Sequence, residues 1–587
     1  MRRLFTHIFI ASFGLLSSAV WAQEAPKYES PPKVLADFVT AKTTPSAVLN
    51  ESGSYMALLE RSPSPSIAEL SQPEVRLAGL RIRTGNSTNL YTRYYQGISV
   101  VNTGNAEKVF GANMPVDNPI LSTSWVSESQ ILAAVLRDEG IVPVLIQPDN
   151  QQNDILTPDA NLRLNMAQSG SPWFLGHDGK LVMRTIPADR GDMPEKPMVP
   201  TGPLIQETGG QQAAARTYQD MLSSPYDEEL FDFFMTSQLR IMVIEEDGQT
   251  SHKAIGKPGI YTSVSFSPNG EYLLVKQISR PYSYLVPYYR FPTRTEVWDL
   301  EGNVVRVLHE QPLLEVLPKG YGSAYDGPRS FTWRADAPAT VYWAQAQDGG
   351  DPSVEVDFRD RWYALAAPFS EEGKAIVDVP YRSGGITWGD GNTAIAYSSW
   401  WKNRMSHAML FSPETGESRE LFHYNYQDRY SNPGSPQMQA NEYGKYVMKM
   451  SYPGPQVYMT GNGASEEGDR PFLRKFNLSS GETEEIFRSQ APHYERVYRL
   501  IDENTMLISR ESPSQPRNLF MKSLDSGEEL ALTDFQHPFP DLVDLKKQGV
   551  EYERNDGIKL SGDLYLPPGY DKGRDGPLPT FRWADPR

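Results

Sequence analysis

Apolar and polar residues alternate in short runs along this chain, separated by clusters of Gly, Asn, Asp and Pro, which is the period of half-buried strands and not of helices. The clearest copies are 47–59 (AVLNESGSYMALL) and 264–275 (VSFSPNGEYLLV), each a strand, a polar turn and a return strand. Looser copies begin at Ser122, Pro172, Ser330, Gly385, Gln437 and Tyr498, which brings the count to eight. Second hairpins with a charge-rich return strand follow most of them, as at 294–308, 408–422, 472–487 and 518–532. Two hairpins make one four-stranded sheet. Such sheets recurring at spacings of roughly 50 to 90 residues predict a mainly β fold, an irregular β-propeller over 45–545. Seven or eight blades both fit, because the first and last hairpins can share one. A sandwich meander needs closer spacing, and a solenoid needs a more regular one.

Several stretches depart from this pattern. Residues 23–44 are Pro-rich with one apolar cluster (VLADFV, 34–39) and predict an extended lead-in. The insertion 201–237 holds the stretch of helical composition, 211–222, while 280–294 and 423–436 are dense in aromatics, Arg and Pro. Such loops either pack between blades or rim a central opening. At the end of the chain, Val550, Tyr552 and Arg554 alternate with polar neighbours, Asn555-Asp556-Gly557 supplies a turn, and Ile558 to Leu566 return, a β-hairpin. A third strand is predicted to begin at Pro577. Three strands without helices cannot bury both faces of an open α/β sheet, so 546–587 predicts the start of a further domain, incomplete as it stands.

Composition narrows the partners. The 587 residues carry a formal charge of -17, which disfavours nucleic acid, since phosphate neutralisation needs clustered Lys and Arg. Arg2 and Arg3, an apolar run over 4–20 and Val20-Trp21-Ala22 form a secretory leader with cleavage expected after Ala22, hence a secreted or periplasmic protein with no membrane attachment afterwards. With 0 Cys, no disulfide, thiolate zinc site or Cys nucleophile is available.

Catalytic signatures fail in turn. No Gly-x-Ser-x-Gly elbow is present, and Gly463-Ala464-Ser465 lies in a polar loop. His177, His252, His309, His407, His423, His493 and His537 show no metal-ligand spacing, and no phosphate-cradling loop or EF-hand appears. The acid pairs Glu466-Glu467 and Glu484-Glu485 read as solvated faces. No cofactor or metal is expected. A quinoprotein-like propeller would require regular Trp-ending repeats that the chain lacks.

The lead-in Tyr28 to Asp37 (YESPPKVLAD), the blade opening Pro45-Ser-Ala-Val-Leu, the segment 72–82 (QPEVRLAGLRI), the hairpin 549–571 (GVEYERNDGIKLSGDLYLPPGYD) and Gly576-Pro-Leu-Pro with Trp583-Ala584 together resemble the prolyl oligopeptidase family of serine peptidases, in its glutamyl-endopeptidase-like branch. The resemblance implies a propeller that restricts an α/β-hydrolase domain to short or unfolded peptides, with Ser, Asp and His as the triad and cleavage after Glu in the branch. It places all three triad members beyond residue 587, so the chain is expected to be inactive in peptide hydrolysis as given. The family's oxyanion Tyr corresponds to Asp585, where a carboxylate would repel the developing charge. The rival expectation is a free-standing propeller that binds a peptide or protein partner.

Overall fold

The computed structural model describes residues 30–583, apart from 115–117, 139, 149–161, 178, 200, 201, 203–216 and 452–454. Residues 1–22, read from the sequence as a leader, and half of the stretch 211–222 of helical composition lie outside the described residues. Two units are distinguished, Met1–Ala41 and Lys42–Arg587. In the first, Lys33–Thr40 is an α-helix with no buried side chain, which corrects the extended lead-in predicted there. Pro32 takes the N-cap position, and Lys33 pairs with Asp37 one turn on, so the proline pair stands at the start of the helix.

The second unit is mainly β; the described residues are 48% strand and 6% helix. Antiparallel strands follow one another in blades. Ser46–Leu49, Tyr55–Arg61, Tyr95–Asn102 and Lys108–Asn113 make the first. The second holds Ile120–Trp125, Ile131–Arg137 and Gly140–Ile146, and the Leu164 amide donates to the Ile141 carbonyl at 2.8 Å on its outer side. Trp173–Leu175, Lys180–Thr185, Ser237–Ile244 and the first half of Thr250–Phe266 form the third. That long strand continues past Gly256 (φ +61°) to become the first strand of the fourth, with Tyr272–Ile278, Thr293–Asp299 and Val304–Gln311. The fifth is Arg329–Trp333, Thr340–Ala346, Asp360–Ala366 and Lys374–Val379, and the sixth Arg382–Asp390, Thr393–Trp400, Met405–Phe411 and Ser418–Asn425. In the seventh, Ser435–Pro436 and Met450–Ser451 both pair with Gln456–Gly461, followed by Phe472–Asn477 and Thr483–Arg488. Tyr494–Leu500, Thr505–Ser512, Gln515–Ser523 and Glu529–Ala531 complete the eighth. The first hairpins predicted from the sequence pattern open these blades except the copy from Gln437, where Met438–Ala440 and Tyr446–Met448 pair as a two-stranded sheet of their own beside the seventh.

Apolar side chains pack each blade on the next. Leu274 and Val297 meet Trp333 and Val341, and Tyr342 and Trp362 meet Trp388, Ala394 and Phe411. The sequence of contacts closes, because Met56, Leu58 and Val101 of the first blade pack on Leu507, Leu519 and Leu532 of the eighth. Among the described residues the ring therefore counts eight blades, the larger of the two numbers that the sequence left open. Among the described residues no strand ladder joins the first blade to the eighth. Besides the apolar contact, Arg499 donates to the Asn50 carbonyl at 3.0 Å and to that of Glu51.

Strand direction alternates within a blade, so the connection from second to third strand and the connection from a fourth strand to the next blade leave from the same end. The insertions 62–94, 186–236, 279–292, 312–328 and 347–359 are all of these two kinds and share that end. The chain also enters at Ser46 and leaves after Ala531 there. Beyond it, Lys546–Glu553 pairs with Lys559–Leu566 around Gly557 (φ +84°), the predicted hairpin. The third strand predicted from Pro577 is not formed: 576–583 carry no strand, and Pro577 and Pro579 have no N–H to offer a ladder.

Candidate functional site at the loop-bearing end

The insertions at this end build a core of their own. Ser224 caps the helix Pro225–Met235 by accepting from the Asp227 amide, and Leu230, Phe231, Phe234 and Met235 bury against Leu80, Ile82, Val286 and Phe291. Tyr282 stacks on Phe291 with centroids 5.2 Å apart and its hydroxyl donates to Asp232. Burial first, and that bond second, push the Tyr282 phenol well above its usual range. Arg280 bridges Glu228 and Asp232, and the Tyr284 hydroxyl donates to Glu228 at 2.9 Å. The aromatics of 280–294 thus serve largely as packing for this layer.

Beside it, the fifth and sixth blades carry a buried ionic cluster. Arg382, at the start of the sixth blade, donates through Nη2 to both Asp348 oxygens at 2.8 Å and through Nη1 to Asp360 Oδ1 at 3.0 Å. Arg359 donates to Asp348 Oδ2 at 2.8 Å, Arg329 pairs with Asp360, and the Ser383 amide donates to Asp360 Oδ2 at 2.7 Å. Both carboxylates have 0% side-chain exposure. Three guanidinium groups thus surround two buried carboxylates, and Arg359 reaches the exposed Glu355 as well, at 3.6 Å. Arg359 also lies over the Trp400 ring at 3.9 Å, and Arg382 Nε donates to the Gly322 carbonyl at 2.6 Å. Sequence reading missed this cluster, because its members are far apart in the chain and only strand register brings them together.

The histidines read as scattered are partly gathered. His407 and His423 lie on neighbouring strands with ring centroids 5.3 Å apart, Glu420 Oε2 is 3.0 Å from His407 Nε2, and Tyr381 Oη is 3.2 Å from His423 Nε2. Burial holds the His407 imidazole below its ordinary value, opposed by Glu420. Among the described residues no group of three His, Asp or Glu side chains could hold a metal ion. Ser465 sits on a two-residue strand at a tight turn, and Glu485 pairs with Arg488. Asp585 lies outside the described residues.

A further cavity, of about 700 Å³, opens where the chain enters and leaves the propeller, lined by Pro45, Arg61, Tyr498, Glu511, Phe535 and His537 among others. No helix of the described residues is long and apolar enough to cross a membrane.

No family model matches the chain. It is similar to the probable chloroplastic glutamyl endopeptidase of Oryza sativa subsp. japonica, 35% identical over 590 residues that cover 95% of this chain and 62% of the relative. The probable chloroplastic glutamyl endopeptidase of Arabidopsis thaliana is also 35% identical, with coverages of 98% and 63%. The chain thus spans somewhat under two thirds of the length of these relatives. Among solved structures, an acylaminoacyl peptidase of Pyrococcus horikoshii matches with 12% identity, a TM-score of 0.41, and coverage of 91% of this chain and 59% of that one.

Proposed function

The chain belongs to the prolyl oligopeptidase family of serine peptidases, in its glutamyl-endopeptidase-like branch, and from that premise we propose that its eight-bladed propeller is the peptide-gating part of such a peptidase. In this reading 45–545 are the propeller and 546–587 the opening strands of an α/β-hydrolase domain. One observation carries it: the hairpin Lys546–Leu566 follows a strand that leaves the propeller at the end where the long insertions collect. A catalytic domain attached at that end faces those insertions, and substrate reaching it passes them. Residues 1–587 hold no Gly-x-Ser-x-Gly elbow, so hydrolysis by a Ser/His/Asp route is not assigned to them. Asp585, standing where the family carries Tyr, has no proton to donate to an oxyanion at neutral pH.

The test uses purified 1–587 with labelled acidic and prolyl peptides. Binding is expected in fluorescence anisotropy, without turnover. Turnover that a fluorophosphonate abolishes would overturn the assignment of chemistry, and absence of peptide binding would overturn the gating role. Export through the leader belongs to the same proposal: the mass of the mature chain is expected to begin at Gln23.

A further inference from the structure

Two large aromatic side chains at the loop-bearing end are exposed and yet held in place. Tyr321, on the connection from the fourth blade to the fifth, stacks on Trp401, on the turn between the second and third strands of the sixth, with centroids 4.2 Å apart and planes 16° from parallel. Their exposures are 61% and 46%. Arg404 lies over the same indole at 3.9 Å.

Each part of this stack is tied to the buried structure beneath. Gly322, next to Tyr321, has φ +87°, and a Cβ there would come 2.6 Å from the ring of buried Trp400, so the backbone is pressed onto that indole. The Gly322 carbonyl is also the acceptor for Arg382 of the ionic cluster. Arg404 itself is left-handed, at φ +62°, a strained conformation for a side-chain-bearing residue that the tight turn enforces. Rigid aromatic side chains lose little freedom when something covers them, which is what makes Trp and Tyr strong anchors in recognition.

Tyr321 also borders a cavity of about 370 Å³, lined with Tyr218, Arg290, Glu315, Leu317 and Pro318. Among the described residues neither Arg290 nor Arg404 has a carboxylate within ion-pair distance, in a chain whose net charge is -17. Two half-buried guanidinium groups left unpaired beside one aromatic platform fit an anionic partner.

We propose that Tyr321, Trp401 and Arg404, with the adjoining cavity, form a docking platform for an extended peptide, on which a proline or aromatic ring lies against the stacked rings while an acidic side chain meets Arg404. This rests on the gating role proposed above and adds where the peptide is held and which side chains are selected. Aromatic surfaces of this kind favour extended, proline-containing chains, which carry little ordering cost.

The probe is a labelled short peptide that alternates Pro, Phe and Glu, measured by anisotropy on purified 1–587, with a second peptide in which Gln replaces Glu. Trp401→Ala and, as an independent variant, Tyr321→Ala are expected to weaken binding about tenfold. Trp401→Phe keeps a ring and is expected to stay within about threefold. Arg404→Gln should weaken the Glu peptide about fivefold and leave the Gln peptide unchanged. Val304→Thr, on an outer strand, is the control and should bind like the parent. Unchanged binding in both Trp401→Ala and Tyr321→Ala would overturn the platform while leaving the gating role intact. A parent chain that binds no peptide would overturn both. Displacement of the parent chain's peptide by a neutral glucose oligomer would overturn the choice of a peptide as the occupant.

Discussion

Asp348 and Asp360 show what single residues contribute here. Each is wholly buried and each faces two guanidinium groups, so their charge is compensated only by Arg329, Arg359 and Arg382. Removing one partner of such a group strands the others, at a cost of about 3–5 kcal/mol. Asp348→Asn, which keeps the shape, is therefore expected to lower stability by that order in urea unfolding, while the same substitution at solvent-exposed Asp525 should stay within about 0.5 kcal/mol. Glu529 gives a pH dependence. Hydrogen bonds from Arg510 (2.6 and 2.8 Å), with Lys522 adding to them, hold its carboxyl down at about 2. A carboxylate depressed in the folded state stabilises fully above its unfolded value, about 4.3, and that contribution is lost as pH falls through about 2. The slope of stability against pH below about 4.5 should accordingly be shallower in Glu529→Gln than in the parent chain.

At the scale of elements, hairpins were the legible part. Turn sequences such as Pro268-Asn269-Gly270 and Asn555-Asp556-Gly557 fix the reversal locally, and Gly270 (φ +71°) and Gly557 (φ +84°) take the left-handed conformation that such turns favour. Where tertiary context decides, the sequence misled: Pro31-Pro32 was read as extended and instead precedes a helix, and the strand from Pro577 has no ladder. The ionic cluster was not legible at all, since Asp348 and Arg382 are 34 positions apart and meet only where the 347–359 connection of the fifth blade lies against the first strand of the sixth. The terminal hairpin differs from the blades in having almost every side chain exposed, Tyr552 and Tyr565 included. Few buried contacts mean a low local opening free energy. Limited trypsin treatment should thus cut first at Lys546 or Lys547, leaving a resistant fragment of the blades that mass spectrometry identifies. Earlier cutting within 329–425 would contradict this.

For the molecule as a whole, each blade is a contiguous stretch of sequence, and the ring closes through Met56, Leu58, Leu507 and Leu519, with no shared strand among the described residues. The starting point of the chain is then a matter of connectivity alone. Closing apolar contacts do not depend on which covalent link is missing, so a circular permutant is expected to fold. New termini in the exposed connection 426–431, with 45 and 531 joined by a flexible linker, should give a cooperative transition with Tm within about 5 °C of the parent lacking the terminal hairpin. A broad, non-cooperative transition would mean that synthesis order, and not packing, selects which two blades meet at the seam. If the permutant folds, the junction where the chain now enters and leaves is interchangeable with the other blade boundaries, and a catalytic domain could be hung from any of them.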